Sequence, residues 1–266
     1  MGGAVLSATE SNLHASDIRT LDTESFSKRI ISGGFDGQLY ITALERSGQS
    51  SGHVLSKYNS SAMDSANIST GTILRQRRFP SVISSVSLFS GGQTGAVTTD
   101  NGSVMLIDTR SPRLIAFQYD EKVTTFGERK APLYTHVFSS DAQAYLGYDG
   151  GEIRILDTRV GDIVGRRKDS VLKAIGDLSL SANGSLCATG YGGVSFSNAS
   201  ASNLDWERQS SHCHVSTDAM GGLETTSGAW LELENGKSQF FVADDCGHLS
   251  VFNDPYEQIV SPDRHY

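Results

Sequence analysis

His212, Cys213 and His214, with Cys246 and His248 further along, are the soft nitrogen and sulfur donors that a zinc ion takes. No Cys-x-x-Cys pair accompanies them. A His beside a turn Asp serves equally to brace a strand by a hydrogen bond, with Cys as a small packing residue. The set is read as bracing and packing, and no metal or cofactor is expected. A second set is Asp36, Asp100, Asp149 and Asp245, each within two residues of a glycine. Such a row could hold a cation. An Asp in a turn, however, bonds its own backbone, which explains each one singly. The third set is Asp108-Thr109-Arg110 and Asp157-Thr158-Arg159, one tripeptide occurring twice after an apolar run. Neither GxSxG, HExxH nor a GxxxxGK[ST] phosphate loop occurs, so the chain is read as a non-enzyme.

These residues sit in a repeat. Five times an apolar stretch leads into a turn rich in Asp and Gly and then into strict alternation. With the turn glycines taken as Gly37, Gly102, Gly151, Gly192 and Gly247, the residues two and four places on are all apolar. They are Leu39/Ile41, Val104/Leu106, Ile153/Ile155, Val194/Phe196 and Leu249/Val251. Period-two alternation after a Gly turn is the signature of a β-hairpin, because strand side chains alternate faces. A further alternating run precedes each hairpin: 17–22, 82–89, 133–138, 175–180 and 222–233. A short fourth strand follows at 53–58, 114–119, 162–165, 203–207 and 258–260. Four antiparallel strands per unit make the blade of a β-propeller.

The expected architecture is therefore all-β: one propeller over residues 1–266 with about five four-stranded antiparallel blades. Their approximate bounds are 10–60, 73–120, 131–169, 173–209 and 214–262, with loop insertions at about 47–72 and 210–220. The ring either closes on five blades, or stays open and is completed by a partner's strand or blade, or belongs to a longer chain. An open sheet edge demands cover. Residues 4–8 could add a strand to the last blade.

Composition agrees. Glycine is 28 of 266 residues and proline only 5, which excludes collagen and a disordered Pro/Gly-rich chain. The net charge is −8, which argues against a nucleic-acid surface over the whole protein. The basic spots Arg75-Gln76-Arg77-Arg78 and Arg166-Arg167-Lys168 are read as solvated loops. Three cysteines without a disulfide pattern point to a reducing compartment, cytoplasmic or nuclear. Neither a membrane span nor a signal peptide is expected.

The repeat resembles the WD-repeat family of β-propellers, over roughly residues 10–260. The first unit carries the likeness best, with His14 ahead of Asp17-Ile18-Arg19-Thr20-Leu21 and then Ser32-Gly33-Gly34-Phe35-Asp36-Gly37. The resemblance implies that His14 and Asp36 pair to brace the blade, as would His212 or His214 with Asp244 or Asp245. The family's closing Trp-Asp is replaced by Ile107-Asp108 and Leu156-Asp157. It further implies a scaffold that binds other proteins as a subunit of a larger complex. Phe35, Tyr148 and Tyr191 are candidate anchors, since aromatic residues dominate hot spots, with blade-to-blade packing as the other use of such rings. Family members that act as substrate receptors of cullin ubiquitin ligases use Asp-x-Arg in two adjacent blades, and Arg110 and Arg159 match that motif. A propeller enzyme with a metal in its channel is the remaining alternative.

Overall fold

The computed structural model describes residues 14–24, 29–43, 53–58, 79–89, 93–111, 113–120, 131–140, 142–169, 172–199, 214–216, 225–234, 236–244, 247–253 and 255. All its strands are antiparallel and pair with their neighbours in the chain. Clustering divides the chain into two compact units, Met1–Glu121 and Lys122–Tyr266.

The first unit holds two four-stranded sheets. One is built from β1 (Ile18–Glu24), β2 (Arg29–Gly34), β3 (Leu39–Ala43) and β4 (His53–Tyr58), in that spatial order. The other consists of β5 (Ile83–Leu88), β6 (Thr94–Thr99), β7 (Ser103–Asp108) and β8 (Ile115–Asp120). Strand β4 is the fourth strand that the sequence places at 53–58, and it lies within the segment 47–72 also read as a loop insertion. The second unit contains β9 (Leu133–Ser140), β10 (Gln143–Tyr148), β11 (Glu152–Asp157) and β12 (Asp162–Lys168) as one sheet. Its next sheet has β13 (Ala174–Leu180), β14 (Ser185–Tyr191), β15 (Gly193–Asn198) and β16 (His214–Ser216). Its last has β17 (Thr225–Glu232), β18 (Ser238–Asp244) and β19 (Leu249–Asn253), three strands among the described residues.

Two boundaries differ from the sequence reading. The outer strand of the fourth sheet is β16, where Val194 pairs with Val215, and the expected strand 203–207 lies outside the described residues. His214 therefore closes the fourth unit and does not open the fifth. A three-residue strand is too short to show alternation, so nothing local marked it. Arg166-Arg167-Lys168 is strand, not loop: Arg167 is buried, with Asp169 3.7 Å from its guanidinium. Burial pulls the Arg167 pKa down to about 10 against the opposing pull of Asp169.

The burial pattern explains why these sequences form sheets that stack. In the first four sheets the second strands carry buried residues on both faces, as in β14, where six of seven residues are buried. Outer strands alternate, as in β8, whose side chains are in turn half-buried and exposed. A strand covered on both faces must sit between two layers, while an alternating one has a wet face. The cores lie between consecutive sheets. Ile31, Leu39 and Ile41 of the first sheet pack with Ile83, Val97, Met105 and Ile107 of the second. Tyr145, Ile153 and Ile155 pack with Ile175, Leu178 and Leu186. Phe196 meets Phe240 edge-on at 5.5 Å and Phe252 at 5.4 Å in the third such core. Removing a ring of this kind costs about 3–5 kcal/mol.

In these three cores the residues two and four places after the turn glycine face the following sheet. In the last sheet the same positions, Leu249 and Val251, are 66% and 45% exposed. The turn glycines do more than turn. Gly37 has φ +70°, and its carbonyl accepts the Phe79 N–H at the start of the next sheet. Gly151 has φ +73°, and its carbonyl accepts the Asp169 N–H. Only a residue without Cβ accepts both the left-handed backbone and the close approach.

Candidate interaction surface

The bracing cluster of the first sheet is assembled from the segment ahead of β1, the strands β2 and β3 and the turn between them. His14 Nδ1 lies 3.2 Å from Asp36 Oδ1, and its Nε2 lies 3.0 Å from Ser32 Oγ. The Tyr40 ring meets the imidazole edge-on at 4.4 Å. Asp36 also accepts the backbone N–H of Ala15 at 2.8 Å and of Gln38 at 2.9 Å. Burial alone would raise the Asp36 pKa. The two backbone hydrogen bonds and His14 outweigh it, and the carboxyl ends below its ordinary value. With its oxygens committed in this way, Asp36 acts as structure rather than as a base.

The other turn acids divide. Asp100 accepts the Ser81 hydroxyl, and its N–H donates to the Val82 carbonyl. Asp149 is exposed and donates its N–H to the Pro132 carbonyl. Asp245 lies outside the described residues, as do His212, Cys213 and Cys246. The pairing foreseen for His212 or His214 with Asp244 or Asp245 lies outside the described side chains, while Asp244 is paired with His248, whose Nδ1 is 2.8 Å from Asp244 Oδ2. That contact is an i,i+4 pair across a turn, a spacing visible in the sequence but not singled out. Among the described residues no three His, Cys, Asp or Glu side chains come together to hold a metal ion.

Three aromatic residues stood out in the sequence, and the structure separates them. Tyr148 is fully buried, with the Arg154 guanidinium 4.2 Å over its ring. It is a packing residue and not a surface anchor, because Asp149 bridges to Ala174 and brings β13 against it. Phe35 and Tyr191 are about half exposed. Each carries a cation over its ring, Arg19 at 5.3 Å and Lys173 at 5.2 Å. Neither cation was singled out from the sequence.

Phe35 stands at an open cleft of ≈ 500 Å³, lined with it by Asp36, Gly37, Phe79, Pro80, Ser81 and Val82. Beside it Ile18 pairs with Gly34 and is 55% exposed. Exposed apolar rings beside a cation combine desolvation gain with a directed charge, the composition of protein-binding hot spots.

The two Asp-Thr-Arg turns share one geometry. Arg110 donates Nε and Nη2 to the two carboxylate oxygens of Asp108 at 2.9 and 2.8 Å. Arg159 does the same to Asp157 at 3.2 and 2.8 Å. In each, the Arg N–H donates to the same carboxylate at 2.9 Å. The arginine hydrogen bond is the main reason the Asp157 pKa falls to about 2, and the Asp108 pKa is lowered likewise. The Arg110 and Arg159 side chains remain 62% and 75% exposed. A guanidinium held flat against its own carboxylate is a rigid, pre-ordered donor with its outer edge in water.

Comparison with known proteins identifies the architecture. No family model matches the chain, and no curated protein matches it. A solved structure, the β-propeller domain of Cps50 (Swd1) from Myceliophteria thermophila, matches with a TM-score of 0.64 at 16% identity. The match covers 91% of this chain and 70% of that one. The fold is that of a β-propeller, as the resemblance to WD-repeat proteins implies. It is a fold of wide use, with 1425 solved chains matching, so it does not choose a function by itself.

Proposed function

We propose that this chain is a non-catalytic propeller scaffold that binds another protein through the Phe35 cleft, as a subunit of a larger complex in a reducing compartment, cytoplasmic or nuclear. The observation that carries the reading is the exposed Ile18–Arg19–Phe35 group beside a cleft whose one lining carboxylate near it, Asp36, is saturated with structural hydrogen bonds. Such a site offers apolar area and a cation but no free acid or base. The test compares proteins co-purifying with the wild type and with the Ile18→Ser, Phe35→Ser double variant. Surface changes of this kind alter stability by only about 0.5 kcal/mol each. The expected result is selective loss of one partner set with an unchanged melting temperature. Retention of every partner would remove the cleft from the interface.

The repeated Asp-Thr-Arg geometry favours a second reading, a substrate receptor that presents Arg110 and Arg159 to the adaptor of a cullin ubiquitin ligase. Arg110→Ala with Arg159→Ala is then expected to abolish pull-down of the adaptor, by at least tenfold, while leaving the Phe35-dependent partners bound. Equal adaptor recovery from the double variant excludes this reading.

A further inference from the structure

We propose that Ser111 is a phosphorylation site, modified by a proline-directed Ser/Thr kinase, and that the phosphate is received by the Arg110 and Arg113 guanidiniums flanking it. The observations concern a turn that differs from its counterpart in the next sheet. Both turns start from the same Asp-Thr-Arg. In the second unit the chain reverses quickly: Gly161, at φ +74°, donates its N–H to the Asp157 carbonyl, and β12 starts at Asp162. In the first unit the sequence Ser111-Pro112-Arg113-Leu114 is interposed before β8.

The added residues form a fixed platform. Ser111 donates its N–H to the Asp108 carbonyl, and its own carbonyl accepts the Leu114 N–H, both at 3.1 Å. Two successive reversals therefore share Ser111 as their corner. Leu114 is held at φ +56°, a conformation that costs a non-glycine residue about 1–2 kcal/mol. Its buried side chain in the core beneath offsets that cost and anchors the turn. Thr109 donates both its N–H and its hydroxyl to the Gln93 carbonyl, at 2.8 and 2.9 Å, and pins the other end. The Ser111 hydroxyl oxygen accepts the Arg113 N–H at 3.2 Å. Ser111 is partly exposed and lies between two exposed arginines.

The charges favour a phosphate. Asp108, Arg110 and Arg113 together carry +1, and phosphoserine adds about −1.5 to −2 with three strong acceptor oxygens. Arg110 is bidentate to Asp108 through Nε and Nη2, so the phosphate competes with that carboxylate for one guanidinium while Arg113 offers a second. The turn thereby passes from a net charge of +1 to about −0.5 to −1. In the transfer, Ser111 Oγ forms a bond to the γ-phosphorus of ATP. The bond from that phosphorus to the bridging oxygen breaks, ADP leaves, and the hydroxyl proton passes to the kinase's base. The inference is independent of which protein the propeller binds.

The test uses the purified full chain, Mg-ATP and a proline-directed Ser/Thr kinase, with the modified residue mapped by mass spectrometry. Phosphate is expected on Ser111, with total incorporation falling at least tenfold in Ser111→Ala. In ³¹P NMR the phosphate's second pKa is expected to fall from its ordinary ~6 to ~5.5 and to return to ~6 in the Arg110→Ala, Arg113→Ala variant. Three results overturn the proposal: no phosphate on Ser111 while a peptide of residues 106–116 is modified, phosphate only on Ser261 of the other Ser-Pro pair, or a phosphate on Ser111 that titrates alike in wild type and variant.

Discussion

Gly151→Ala is expected to lower the melting temperature by about 6–12 °C, the shift that roughly 3 kcal/mol produces in a chain of this size. Two costs add. The backbone at φ +73° disfavours any Cβ by about 1 kcal/mol. A Cβ there would also stand 1.8 Å from the Leu172 carbonyl oxygen, so the start of β13 must move away from the turn. That displacement opens the core formed by Tyr145, Ile153 and Ile175. Gly247→Ala separates the two effects. Gly247 has φ +85° but no atom within 4 Å of the added Cβ, and is expected to lose only about 1 kcal/mol. Thermal denaturation of the two variants side by side measures the difference. Equal shifts would mean that the approach of Leu172 contributes nothing.

Acid lability is the second large expectation. His136 is buried on β9, with Phe138 edge-on at 5.6 Å, and burial lowers its pKa from 6.5 to about 3. The folded protein keeps this imidazole neutral where the unfolded chain protonates it. Between pH 6.5 and about 3 the unfolded state therefore binds the extra proton, and stability falls as the pH falls. The loss reaches the order of 4–5 kcal/mol by the lower end. Asp157 acts in a different window: its lowered pKa stabilises the fold above about pH 4, and that support is lost only as the pH falls toward 2. Asp177 acts in the opposite sense. Burial raises its pKa, so protonation on acidification favours the folded state. A melting-temperature profile from pH 7 to 4 should thus slope downward in the wild type and be markedly flatter in His136→Leu. Parallel profiles would contradict the neutral buried imidazole.

The turns were legible because their chemistry is local. An Asp, a Gly and two apolar residues at fixed offsets declare a hairpin without knowledge of anything distant, and all five glycines precede a third strand. What covers those strands is not local. Phe35 and Tyr148 look alike in the sequence, each an aromatic beside a turn Asp. Phe35 is half exposed with Arg19 5.3 Å over its ring, whereas Tyr148 is wholly buried, with Arg154 at 4.2 Å over its ring and the neighbouring Asp149 bridged to Ala174 of β13. Arg167 was misread for the same reason: three basic residues in a row suggest solvent, yet strand alternation turns the middle one inward.

Asp177 shows the limit most clearly. As one Asp in an alternating strand it suggested nothing. In the structure it accepts the Gly228 N–H at 3.4 Å and the Ser227 hydroxyl at 3.3 Å from the following sheet, with Thr135 of the preceding sheet at 3.5 Å. Its partners lie 42 and about 50 residues away, beyond any local pattern.

The carbonyls of Gly37 and Gly151 also bear on how the chain is made. Gly37 accepts an N–H ahead of the sheet that follows, 42 residues downstream, and Gly151, whose carbonyl accepts the Asp169 N–H just past β12 of its own sheet, leaves room for the Leu172 carbonyl ahead of β13. A completed hairpin therefore offers a ready acceptor to a segment that a ribosome has yet to deliver. Synthesis at about 5–20 residues per second takes several seconds per sheet, whereas a hairpin closes in microseconds. Each sheet has time to form before its successor emerges, and the successor then finds a finished edge to dock on. Within each unit, growth from the amino end lays the sheets down in order, and the glycine at each turn keeps the landing place clear for the next.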